Sequence, residues 1–157
     1  MKKHLITYIL LSVAILIFVD PSYAKVYIDI DSPGGMRLPI AIEEIRIKDT
    51  TTPSEAESDA AAEAREIILS DLTFSGIFEV INKNAHLEDP TQSGITVHTT
   101  DFSQWRAIGA DIIIKSELRL TEKTLTVEFR LFDAVIEKQL LGRRYVGKPN
   151  SLRAIVH

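Results

Sequence analysis

The clearest pattern in the chain is a change of hydrophobic period within Asp101–Asp133 (DFSQWRAIGADIIIKSELRLTEKTLTVEFRLFD). Asp101–Ile108 reads as a short helix, with Asp101 placed to cap its first N–H groups and Gly109 to end it in a left-handed conformation. From Ala110 the period becomes two. Ile112, Ile114, Leu118 and Leu120 fall on one face, interrupted by Ser116, while Asp111, Lys115, Glu117 and Arg119 fall on the other. Thr121–Thr124 predicts a hairpin turn. The returning strand sets Leu125, Val127, Phe129 and Leu131 against Thr126, Glu128 and Arg130. A helix feeding an antiparallel hairpin with one apolar and one charged face is the expected scaffold, and the rest of the chain should pack on the apolar side.

Other segments fit around it. Val26-Tyr27-Ile28-Asp29-Ile30 alternates as a strand or an extended arm, followed by the turn-forming run Asp31-Ser32-Pro33-Gly34-Gly35. Leu38–Ile47 predicts a strand in which Ile40 and Ile42 are out of phase with Ile45 and Ile47, so a bulge is expected around Glu43-Glu44. Ser54 is an N-cap, with Glu55 and Glu57 in the first turn of a helix running to about Leu72. Its stripe is Ala61, Ala64, Ile68 and Leu72, and Phe74-Ser75-Gly76 closes it. Ile77–Ile81 predicts a short strand, Asn82–Ser93 a loop, Ile95–Val97 an edge strand, and Lys138–Gly147 a third antiparallel strand. A final helix starts near Leu152 and stops at His157 barely two turns on. The fold class is α/β (α+β), a mixed sheet of about five strands with two main helices.

The first residues set the compartment. Lys2 and Lys3 precede an apolar run, Leu5–Val19, and Ser22-Tyr23-Ala24 supplies the small residues a signal peptidase reads. Fifteen residues at 1.5 Å rise reach only about 22 Å, short of the roughly 30 Å hydrocarbon core. The expectation is a signal peptide over residues 1–24, cleavage after Ala24, a domain over residues 25–157, and no membrane insertion afterwards. The formal charge is −4, and removing Lys2, Lys3 and Asp20 makes it one unit more negative. An acidic domain without a dominant basic cluster argues against a nucleic-acid partner. With no cysteine, disulfides, thiolate zinc sites and thiol catalysis are excluded.

Candidate chemistry is sparse. His4, His86, His98 and His157 have no ligand at zinc spacing, so no metal or cofactor is expected. Glu43-Glu44 and Glu88-Asp89 are adjacent carboxylates; neighbours on a strand point to opposite faces, and solvated surface is the expected role. Ser32-Pro33-Gly34-Gly35 lacks the lysine of a phosphate loop and reads as a turn. Trp105 is either a core side chain or an interface anchor, with core favoured. Arg143, Arg144, Lys148 and Arg153 form a loose basic cluster that offsets local charge or contacts another domain. The alternating segment from Lys25 can pair with another chain's edge strand or serve as an ordinary first strand.

Several segments in order resemble the amino-terminal domain of the TolB family: KVYIDIDS with RLPIAIEEI, AREIILSDLTFSGIFEVINK, WRAIGADIIIKSEL, FRLFD, and GRRYVGK leading into SLRAIVH. The more specific parts are Asp71–Phe78 and Trp105–Asp111. The resemblance implies a small α/β domain similar to anticodon-binding-like folds, followed in the family by a six-bladed β-propeller. It implies a non-enzymatic periplasmic component of the Tol–Pal system. Such a component joins the inner-membrane protein TolA to the lipoprotein Pal, keeps the outer membrane intact and draws it inward during division. The matching TolA-binding arm is Lys25, Val26, Tyr27, Ile28, Asp29, Ile30, Asp31 and Ser32. These 157 residues hold no repeats of blade length, so a Pal contact through a propeller is not expected of this stretch. A second reading is a small exported ligand-binding or envelope-assembly domain that shares only the scaffold; it predicts a concave apolar pocket with converging polar groups.

Overall fold

The chain divides into two units, residues 1–33 and 34–157. The computed structural model describes residues 36–50, 52–89 and 92–156, all of them in the second. The expected signal peptide, its cleavage site and the arm Lys25–Ser32 lie outside the described residues.

The described chain runs β1 (Leu38–Ile42), β2 (Arg46–Ile47), α1 (Glu55–Ser75), β3 (Phe78–Val80), α2 (Phe102–Ala107), β4 (Ile112–Leu120), β5 (Leu125–Asp133), β6 (Lys138–Gly147) and α3 (Leu152–Val156). Strands β3, β1, β4, β5 and β6 lie side by side in that order, and β2 also pairs with β4. The β1–β3, β1–β4 and β2–β4 pairs are parallel, whereas β4–β5–β6 is an antiparallel meander. The mixed α/β class is therefore as expected, with six strands and three helices.

The additional strand has a local cause. Ile42 pairs with Ile114, but Arg46 pairs with Glu117, so four steps along one strand match three along the other. That extra residue is the bulge expected at Glu43-Glu44, and it divides Leu38–Ile47 into β1 and β2. It also returns Ile45 and Ile47 to the face of Ile42, where they join the same apolar cluster.

Helix α1 begins at a capping box: Ser54 Oγ accepts from Glu57 N, and the Glu57 carboxylate accepts from Ser54 N at 2.9 Å. It ends at Gly76, whose φ of 70° is the left-handed position a glycine takes at least cost. Ala61, Ala64 and Ile68 of the expected stripe are buried, and Leu72 packs at its margin. They meet Ile42, Leu118, Leu125 and Val127, with Leu152 of α3 closing the layer.

The opposite face is covered as well. Phe102 and Trp105 of α2 pack with Ala41, Ala110, Ile113, Phe132 and Ala134. Phe102 and Phe132 meet edge-on at 5.8 Å between ring centroids. This corrects the expectation that only one face of the β4–β5 hairpin is apolar. The strand Ile112–Ile114 is a continuous isoleucine run because parallel neighbours and helices enclose both its faces. The expected edge strand at Ile95–Val97 is instead a 3₁₀ turn over Val97–Thr99. Thr96 and Thr99 hydroxyls lie 2.9 Å apart, and Thr99 Oγ1 accepts from Thr96 N at 3.1 Å. Those side-chain bonds offer the backbone an alternative to a ladder.

Candidate functional site

Beyond α2, the second face holds a group that the alternation pattern assigned to solvent. Lys115 is odd-numbered on β4, so it projects on the same side as Ile113, and its exposure is 0 %. Its Nζ donates to Glu88 Oε2 at 2.8 Å and lies 3.4 Å from Glu43 Oε2. Glu43 sits in the bulge after β1, and Glu88 comes from the 82–100 segment. Ser93 Oγ donates to Glu43 Oε1 at 3.1 Å, and Asp101 N donates to Glu88 Oε1 at 3.0 Å. Trp105 Nε1 also donates to Glu88, and the indole meets the His86 ring edge-on at 4.9 Å between centroids.

Glu43 and Glu88 are thus not solvated surface, as adjacency alone suggested; each is buried against one ammonium. The opposite-face reading of Glu43-Glu44 does hold. Glu44 is exposed and lies 3.7 Å from Lys83, while Glu43 faces inward. Trp105 is a core side chain, 1 % exposed, as favoured.

Burial pushes the Glu43 carboxyl up from 4.5 to about 7, against the pull of Lys115, with Glu88 adding to the rise and Ser93 opposing it. His86 is lowered, first by burial and then by the positive charge of Arg65. A cavity of about 290 Å³ lined by Glu43, Glu44, Lys83, Asn84, His86 and Glu88 opens beside the cluster. Both Glu43 oxygens are engaged, one by Ser93 and the other by Lys115. The arrangement therefore fastens the bulge, the 82–100 segment, α2 and β4 to one point.

A groove of about 640 Å³ runs along Glu88, Asp89, Gln92, Ser93 and Asp101, with Leu87 its one apolar lining side chain. That is not the concave apolar pocket predicted by the ligand-binding reading. Among the described residues, no three His, Cys, Asp or Glu side chains are grouped to hold a metal. Also among them, no helix is long and apolar enough to cross a membrane.

The signal for Lys115 was present in the sequence. It continues the face of Ile113 immediately after a tryptophan-bearing helix, and Trp105 needs a partner for its N–H. Periodicity assigned the charge outward because the helix covering that face was not placed.

Fold and site together define a two-sided mixed-sheet domain pinned by an internal ion cluster. Residues 26–140 match the family model described as the TolB amino-terminal domain, and the chain belongs to that family. It is 32% identical over 142 residues to the Tol-Pal system protein TolB of Syntrophotalea carbinolica, covering 90% of this chain and 32% of that protein. The chain spans about a third of the length of the curated relatives it matches. The crystal structure of TolB from Acinetobacter baumannii superposes with a TM-score of 0.52 at 19% identity, covering 75% of this chain and 25% of that one. The LpoB C-terminal domain from Salmonella enterica gives 0.53 at 12% identity, covering 73% and 87%. At these identities the two structures speak for the fold alone.

Proposed function

We propose that this chain is a non-enzymatic, periplasmic module of a Tol–Pal system, acting through protein–protein contacts. In this reading the signal over residues 1–24 is removed after Ala24, and the segment Lys25–Ser32 becomes a free N-terminal arm. The arm binds the periplasmic part of a TolA-type inner-membrane protein as an added strand, its alternating Val26, Ile28 and Ile30 taking one side. The sheet domain is the base that carries it. A Pal-type lipoprotein is engaged only where a propeller accompanies the domain. The cellular outcome is maintenance of the outer membrane and its inward draw during division.

The observation that carries this reading is the extent of the family match. It begins at Val26, so it takes in nearly the whole arm, and it runs through β4 and β5 to the start of β6. The apolar and polar alternation of the arm supports a strand-adding role, and the buried ion cluster gives the base an internal fastening of its own.

Calorimetric titration of residues 25–157 with the periplasmic domain of TolA tests it. Binding that disappears when Lys25–Ser32 is removed, with the thermal unfolding of the domain unchanged, is the expected result. Unchanged affinity after removal, or no binding by a folded domain, sinks it. N-terminal sequencing of the exported chain checks the processing; Met1 retained on mature protein overturns the signal-peptide part.

A further inference from the structure

Among the described residues, strand β6 is an edge of the sheet. Its inner side pairs with β5 from Leu125↔Gly147 to Asp133↔Lys138, and no strand lies on its outer side among the described residues. A register shift at Leu131/Phe132, where Leu140 is the extra residue, interrupts the Lys138 end. Leu141–Gly147 remains as a regular strand with an open row of backbone groups. Leu141, Tyr145 and Val146 along it are 43%, 42% and 65% exposed.

The charge on this stretch is segregated. Lys138, Arg143, Arg144, Lys148 and Arg153 fall within a run that contains no Asp or Glu, in a chain whose net charge is −4. Arg144 is held by Glu128, Nη2 to Oε2 at 2.5 Å, together with Arg130. Glu128 would be raised by its burial, but those two guanidiniums outweigh that and bring it below the usual range. Among the described residues Lys138, Arg143, Lys148 and Arg153 form no ion pair, although Lys48, Lys83, Arg106 and Arg119 each have a carboxylate partner.

An open edge that carries unpaired cations selects its occupant by charge. A second copy is disfavoured. Antiparallel pairing about Arg144, the centre of Leu141–Gly147, sets Arg144 of one copy against Arg144 of the other, and parallel pairing sets each arginine against itself. We infer that the β6 edge is a docking surface for an acidic extended segment of a different polypeptide, which adds as a further strand beside Leu141–Gly147. Arg143 and Tyr145 lie on one face of β6 and Val146 and Lys148 on the other, so the segment presents a carboxylate and an apolar residue to each face. This contact is separate from the arm at Lys25–Ser32.

The test uses the isotope-labelled chain and a short peptide in which pairs of glutamates alternate with pairs of valines, so that both faces carry carboxylates, followed by amide chemical shifts. The expected result is that shifts concentrate on Leu141–Gly147 and weaken with salt. A version of the peptide N-methylated at alternate residues should not bind, because it cannot complete a ladder. Arg143→Glu with Lys148→Glu should weaken binding by about tenfold or more, and removal of Lys25–Ser32 should change nothing. Both side chains are exposed and form no ion pair, Arg143 donating only to the carbonyl oxygen of Gly142, so the doubly substituted chain should keep its unfolding curve. No binding, equal binding by the N-methylated or a lysine–valine peptide, shifts centred elsewhere, or a concentration-dependent dimer through β6 each overturns the proposal.

Discussion

The two faces of the sheet solve the same burial problem differently. On the α1 and α3 side, Ile42, Leu118, Leu125 and Val127 meet alanines and aliphatics, and no charged side chain belongs to the buried cluster. On the α2 side an apolar patch around Trp105 and Phe132 gives way to Lys115 held between Glu43 and Glu88. The first face is stabilised by removal of apolar area from water and tolerates loose matching. The second depends on each partner being present, because a buried charge left alone is costly. The lesson is one of fragility. The apolar face should lose stability in proportion to what is removed, and the ionic face should fail at a single residue.

Removing the ammonium is the most direct way to break that contrast. Lys115→Ala leaves two buried carboxylates facing each other and should cost roughly 3–5 kcal/mol, read from denaturant unfolding. The loss should be smaller at about pH 5, where Glu43 carries its proton. Replacing Lys115 by Met together with Glu43→Gln and Glu88→Gln should restore much of it; no recovery would show that packing, not charge, is the cause. On the other face Leu118→Ala should cost about 3 kcal/mol from the lost methyls and the cavity. Leu118 is fully buried among aliphatics, so that cost should be the same at acid and neutral pH.

A pH titration of stability sharpens the comparison further. The Glu43 carboxyl sits at about 7 in the folded chain against 4.5 ordinarily. Between those values the folded state holds a proton that the unfolded state has released. The contribution of this group is therefore full below 4.5 and is lost as pH rises through 7, a decline on the order of 3 kcal/mol. Glu43→Gln should flatten that slope, and an unchanged slope would place the titrating group elsewhere. The smallest effect lies at the helix that covers the apolar face. Ser54→Ala removes the capping box and should cost about 1 kcal/mol, visible as a modest fall in thermal midpoint with no pH dependence near neutrality.

Much of this architecture was legible because its signals are local. The period of two across Ile112–Leu131, the stripe Ala61–Ala64–Ile68 and the phase slip at Glu43-Glu44 each lie within one segment. So do the caps at Ser54, Gly76 and Asp101, and all of them recur in the structure. What stayed hidden depends on distant partners. Lys115 and Glu88 read as surface because their burial is decided by a helix and a loop arriving from elsewhere in the sequence. Ile95–Val97 read as a strand because its threonines compete for the backbone in a way that periodicity does not register. The alternation in Val26–Ile30 lies outside the described residues, and whether such a pattern pairs inside the chain or with another depends on which edge is open.

The mixed strand order also bears on how the chain reaches its native state. The β4–β5–β6 meander closes across short turns, so it can form early from neighbouring residues. Strand β1 must reach Ile112–Ile114 from roughly 70 positions away, with α1 and the 82–100 segment in between. A chain that has made its meander but not yet recruited β1 exposes an isoleucine-rich open edge. That stage is the one at which newly made molecules are most prone to pair with each other and aggregate.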